Sequence, residues 1–158
     1  MTRLTARRVF PALAVLVLAG IQFVPARIDR VLPDPAPSLA RQLEPSADIT
    51  RLLERSCNDC HGATPAWPWY SYVAPISWLL GRDVREAKEH LDFTRWADHA
   101  PRAQARLLGR MCEEAQKGQM PPQAYSLVHR GAPFSADETK LFCAWIERAQ
   151  ARLADAAP

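Results

Sequence analysis

Cys57-Asn58-Asp59-Cys60-His61 restricts this chain more than any other feature. Two thiols three positions apart can each form a thioether to a haem vinyl group, and the imidazole that follows then falls under the iron. The spacing is that of a haem c attachment site. Three other readings fit less well. A Cys-x-x-Cys redox pair belongs at a helix N-terminus, where the helix dipole lowers the thiol pKa, and here a helical pattern runs into the motif instead. A zinc site needs a second ligand pair, whereas Cys112 and Cys143 each stand alone. A structural disulfide between Cys57 and Cys60 is weaker still.

The surrounding sequence reads as helices separated by stiff loops. Ser46 is a suitable N-cap and Asp48 suits the positive end of a helix dipole; Ile49, Leu52, Leu53 and Cys57 then share one face. This helix is expected to pass into the motif and stop near Gly62. Residues 63–75 form an aromatic loop around Trp67-Pro68-Trp69-Tyr70-Ser71-Tyr72, and a second helix is expected over residues 76–91. Pro101 suits a first helical position. It opens a third helix with Leu107, Leu108, Met111, Cys112 and Ala115 inward, ended by Gly118. Met120-Pro121-Pro122 begins another stiff loop that reaches Pro133. Ser135 and Glu138 form a capping box for the last helix, whose buried stripe is Leu141, Phe142, Trp145, Ile146 and Ala149. No alternating strand pattern and no repeat appears. The expected fold is all-α, a cytochrome c-like helical domain over residues 46–154 with long Pro-rich loops and a short tail at 155–158.

Arg3, Arg7 and Arg8 precede an uncharged apolar run over residues 9–24, the pattern of a secretory signal or signal anchor. The run is shorter than the roughly 20 residues of a comfortable spanning helix. Val24-Pro25-Ala26 makes a poor cleavage site, so an uncleaved N-terminal membrane helix over residues 1–26 is preferred to a cleaved signal peptide. Pro33, Pro35, Pro37 and Pro45 make residues 27–45 a tether. Both readings put the domain on the periplasmic side of a bacterial inner membrane. The net charge of +3 is spread without a basic run. It therefore gives no nucleic-acid footprint and only a weak preference for acidic redox partner proteins.

An electron-transfer haem ordinarily takes a second axial ligand, here from Met111, Met120, His90, His99 and His129. Met120 leads, because a loop pinned by two prolines can hold a thioether with little entropy to lose. Methionine–histidine ligation raises the haem potential. Met111 reads as core packing, His129 comes second to Met120, and an open sixth position remains an alternative. Trp67, Trp69 and Tyr70 either line the haem edge and donate hydrogen bonds to its propionates or simply anchor the loop. Pro75 or Pro68 could offer a carbonyl to the second nitrogen of His61. Arg82 and Arg85 suit a solvated helix face better than propionates. Cys112 and Cys143 are either a disulfide, which an oxidising compartment permits, or two buried thiols.

Taken with the attachment motif, several runs resemble the bacterial haem-binding domain family: Trp67-Pro68-Trp69-Tyr70-Ser71, Val73-Ala74-Pro75 with Ser77-Trp78, and Asp83-Val84-Arg85-Glu86. So do His90-Leu91 with Phe93 and Trp96, Met120-Pro121 with Tyr125 and His129, and the last helix with Trp145. The likeness covers about residues 46–147 and extends to the N-terminal apolar segment. It implies an exported, membrane-tethered protein with a single haem c, and fixes the cofactor better than the physiological role. The sequence departs from the family at Asp92, where asparagine is expected, and at Arg130, where proline commonly follows the histidine. The second departure weakens any role carried over to His129.

The residues themselves point to a one-electron carrier, with Cys57 and Cys60 attaching the haem, His61 as proximal ligand and Met120 as the leading distal ligand. A haem-based sensor or small-ligand binder is the alternative, and a peroxidase-like enzyme is third. No acid–base–nucleophile cluster suggests hydrolysis or group transfer.

Overall fold

The computed structural model describes residues 2–26, 38–63 and 67–155, with side chains from residue 10 onward. Residues 27–37 of the expected tether, 64–66 of the aromatic loop and 156–158 of the expected tail lie outside the described residues. The elements in chain order are α1 (Thr2–Ile21), α2 (Leu39–Leu43), α3 (Ala47–Ser56), α4 (Asn58–His61), α5 (Ile76–His90), α6 (Pro101–Gln116), α7 (Gln123–Val128) and α8 (Ala136–Asp155). Two 3₁₀ segments, Trp69–Tyr72 and Phe93–Asp98, flank α5. Among the described residues there is no strand, and the fold is all-helical.

The helix ends follow local chemistry. Ser46 Oγ accepts from the Ile49 amide at the start of α3. Pro101 opens α6 behind an extended Ala100. Gly118 takes a left-handed φ of 64° just past α6, a conformation that costs glycine least. At α8 the Glu138 amide donates to Ser135 Oγ at 3.2 Å while the Ser135 amide donates to Glu138 Oε2 at 2.8 Å. This reciprocal box satisfies two otherwise orphaned donors, and each such cap is worth about 1 kcal/mol.

The core forms where three amphipathic faces meet. Ile49, Leu52 and Leu53 of α3 pack with Leu108 and Met111 of α6 and with Phe142, Trp145 and Ile146 of α8. Phe93 and Trp96 from the second 3₁₀ segment close it. A Cys112–Cys143 disulfide, with Cα atoms 5.1 Å apart, ties α6 to α8, which settles the choice between a bridge and two thiols. Gln150 Nε2 of α8 also donates to the Ala105 carbonyl of α6 at 2.7 Å.

Three short elements fall below the length at which periodicity speaks. Between Pro37 and Pro45, in the stretch expected as tether, there is room for α2. Ser38 caps it, and Leu39 and Leu43 are buried in the core. The Phe93–Asp98 segment is capped by Asp92, whose Oδ1 accepts from the Thr94 amide at 2.9 Å and from Thr94 Oγ1 at 2.7 Å. Asparagine is expected at this position on the family resemblance, and aspartate does the capping equally well. The third element, α7, follows Pro122.

The N-terminal segment departs from expectation. Among the described residues no helix is long and apolar enough to cross a membrane. Arginines occupy the early turns of α1. The uncharged part of the helix, residues 9–21, is therefore about 20 Å long at 1.5 Å per residue, short of a ~30 Å hydrocarbon core.

Candidate haem site

The attachment motif sits on a bend. Cys57 has φ −126° and ψ −41°, so α3 ends there and the chain restarts as α4. Hydrogen bonding continues across the bend, from the Cys57 amide to the Leu53 carbonyl at 2.9 Å and from the His61 amide to the Cys57 carbonyl at 2.9 Å. Positions i, i+3 and i+4 therefore put Cys57, Cys60 and His61 on one side of the turn. Gly62 closes it. A Cβ there would lie 2.8 Å from the Asn58 carbonyl oxygen, so only glycine allows this close approach. From outside, Tyr125 Oη of α7 donates to Asp59 Oδ2 at 2.6 Å and Ser56 Oγ donates to the Ala132 carbonyl at 2.6 Å.

His61 is oriented by the main chain. Its Nδ1 lies 2.7 Å from the Leu91 carbonyl oxygen. A carbonyl only accepts, so Nδ1 carries the proton and Nε2 is the lone-pair nitrogen. Metal-ligating histidines are ordinarily fixed by such a contact. The expected carbonyl of Pro75 or Pro68 is thus replaced by that of Leu91, which lies just past α5 in extended backbone (φ −159°, ψ 113°). The imidazole stacks on buried Phe93 with ring centroids 5.6 Å apart. Burial, partly opposed by the Leu91 hydrogen bond, lowers the His61 pKa and favours the neutral ring. Burial also pushes the Cys57 thiol up to about 12 and the Cys60 thiol up to about 11. An activated redox pair needs the opposite shift.

Beside this turn lies a cavity of about 260 Å³. Cys57, His61, Met111 and Met120 line it, and Leu91, Leu107, Phe93, Phe134 and Phe142 complete a mostly apolar lining. His90, Arg110 and Glu114 also reach it. Of the five candidate second ligands, the structure brings Met120, Met111 and His90 to the cavity and leaves His99 and His129 outside. Met111 is buried in the core, as expected. Met120 is 42% exposed. Its amide and that of Gln119 both donate to the Glu114 carbonyl at the end of α6, at 3.3 and 3.0 Å, and Pro121 behind it is buried.

The other expected site residues fall elsewhere. Trp67, Trp69 and Tyr70 do not line this cavity. Trp69 is 76% exposed. Tyr70 Oη lies 3.4 Å from His129 Nε2, and His129 stacks on Tyr125 at 4.1 Å. Trp69–Tyr72 folds as a 3₁₀ turn shortly before α5. Arg82 pairs with Asp83 at 3.0 Å and with Glu86 at 3.7 Å on the exposed side of α5; neither Arg82 nor Arg85 reaches the cavity. The reading of individual residues missed the Leu91 carbonyl, Phe93, Arg110 and Glu114. A main-chain atom carries no side-chain signal, and Arg110 and Glu114 look like any charged pair on a helix. Phe93 and Leu91 were visible only as part of the family resemblance.

A mainly apolar cavity lined by the Cys57 thiol, an oriented neutral imidazole and the Met111 and Met120 thioethers, with the free Cys60 thiol on the same turn, suits an iron porphyrin. The donor set is nitrogen and sulfur, and the cavity supplies the apolar shell such a group needs. Fold and site together define an all-helical haem protein. The chain belongs to the haem-binding domain family, whose model matches residues 16–148. No curated relative and no solved structure matches it.

Proposed function

We propose that the protein is an exported, membrane-held one-electron carrier with a single haem c, attached through Cys57 and Cys60 and ligated by His61 and Met120. The observation that carries this reading is the 2.7 Å contact from His61 Nδ1 to the Leu91 carbonyl, which presents the opposite nitrogen beside Cys57 in a cavity that Met120 shares. When bound, the haem supplies the reversible ferric–ferrous couple. The chain holds the imidazole in one tautomer and one orientation. Phe93, Leu107, Phe134 and Phe142 exclude water, and the Glu114 carbonyl fixes the backbone of Met120. Export is supported by the Cys112–Cys143 bridge, which suits an oxidising compartment, and by the basic-then-apolar N-terminus. Membrane attachment is supported by the exposed apolar side chains of α1. Redox partner proteins would approach the periplasmic domain.

The exposure of Met120 favours a second reading, a sensor or small-ligand binder with a labile sixth position. One spectrum separates the two. A weak ferric band at about 695 nm marks methionine ligation. The carrier reading predicts this band in protein matured by cytochrome c assembly machinery, and its loss in Met120→Ala. Rapid carbon monoxide binding by the reduced protein, with no such band, would favour the sensor.

A further inference from the structure

A second apolar surface lies outside the haem site. Phe23 is 88% exposed and Trp69 76% exposed, and Val24, Tyr72, Ile76 and Leu79 are also exposed. Scattered apolar residues on a surface need no explanation, but these are joined. The Gln22 side chain, just past α1, makes a reciprocal pair with the backbone of Ala74. Its Nε2 donates to the Ala74 carbonyl at 3.1 Å and its Oε1 accepts from the Ala74 amide at 3.0 Å. Trp78 Nε1 donates to the Val24 carbonyl at 3.0 Å. Phe23 and Val24 are thereby fastened against residues 74–78. In a 3₁₀ turn, side chains at i and i+3 eclipse, so Trp69 and Tyr72 point the same way. Ile76 and Leu79 follow at the same spacing on α5. One turn further, the exposed side of α5 becomes Arg82, Asp83 and Glu86, and the apolar face ends.

We infer that Phe23, Trp69, Tyr72, Ile76 and Leu79 lie in the headgroup layer of a lipid bilayer, so that the haem domain rests on the membrane. The inference rests on the reading of α1 as the membrane attachment. Lipid is the occupant because the face is continuous with α1, whose apolar side chains are exposed from Phe10 to Leu18. The residue types agree: tryptophan and tyrosine rings with polar tips concentrate at membrane–water interfaces. The face also extends the apolar contact of a helix whose uncharged stretch is short of a bilayer core.

The test uses the full-length, haem-loaded protein reconstituted into vesicles of phosphatidylethanolamine and phosphatidylglycerol. A second set of vesicles carries bromine on the acyl chains near the headgroups. Flotation reports attachment, and tryptophan emission reports proximity to bromine. Trp69→Phe preserves an exposed aromatic and leaves the core untouched. The expected result is that both proteins float and that brominated lipid removes a larger share of wild-type emission than of Trp69→Phe emission. Flotation of both with equal fractional loss overturns the inference while leaving membrane attachment standing; the face would then belong to a protein partner or a second copy. Failure of the wild type to float overturns attachment and the inference together.

Discussion

The two walls of the haem cavity are built by different means. Around His61 the side chain itself is held: α3 runs into the bend at Cys57, α4 carries Cys60 and His61, and the Leu91 carbonyl and Phe93 ring fix the imidazole. Around Met120 it is the backbone that is held. The Met120 and Gln119 amides both donate to the Glu114 carbonyl at the end of α6, and Met120 is 42% exposed. The contrast teaches that the fold imposes orientation on the His61 ring, while for Met120 it fixes the main chain.

The largest effects should come from breaking what supports both walls. The Cys112–Cys143 bridge ties α6, which carries Met111 and precedes Met120, to α8. Replacing both cysteines by serine should lower stability by about 3 kcal/mol, read from denaturant midpoints of the haem-loaded protein. Phe93→Ala removes a buried ring from beneath His61 and should cost about 3 kcal/mol. It should also broaden or shift the haem absorption, because the imidazole loses its stacking partner. An unchanged spectrum would show that the Leu91 carbonyl alone orients the ring.

Two methionine substitutions sharpen the comparison directly. Met111→Ala opens the core and should cost about 3 kcal/mol while keeping the band at about 695 nm. Met120→Ala should show the reverse, costing under about 1 kcal/mol and losing the band. His90→Ala should leave both unchanged; loss of low-spin character there would move the distal role from Met120 to His90.

How much of this was legible in the sequence depends on which atoms did the work. The turn at Cys57–His61, the Ser135–Glu138 box and the long helices α5, α6 and α8 announce themselves through side-chain type and period. The positioning of His61 does not, since it rests on a carbonyl oxygen. The aromatic run around Trp69 was readable as specific but not as to place, because a 3₁₀ turn aims its rings by backbone geometry. Leu39 and Leu43 were hidden between prolines, where α2 is too short to show a period. At the N-terminus the same early arginines that give the sequence its signal-like pattern also shorten the apolar helix.

The smallest expected effect comes from an ion pair that does not line the cavity, Arg55–Glu138. Arg55 and the Ser135 amide hold the Glu138 carboxyl down to about 2 from a usual 4.5. A carboxyl depressed in the folded state binds protons more readily when unfolded. Its stabilising contribution is therefore complete above pH 4.5 and is lost as pH falls toward 2. The partners are partly exposed, so Glu138→Gln should cost no more than about 1 kcal/mol at neutral pH and should flatten the acid limb of a stability–pH curve.

The central claim is that Cys57 and Cys60 bind the porphyrin through carbon–sulfur bonds. Mass spectrometry of the denatured chain, after export in a host with cytochrome c assembly machinery, tests it most directly. The account predicts polypeptide plus one haem, with colour retained in acidic acetone. A bare polypeptide mass, or pigment passing into the solvent, would contradict it.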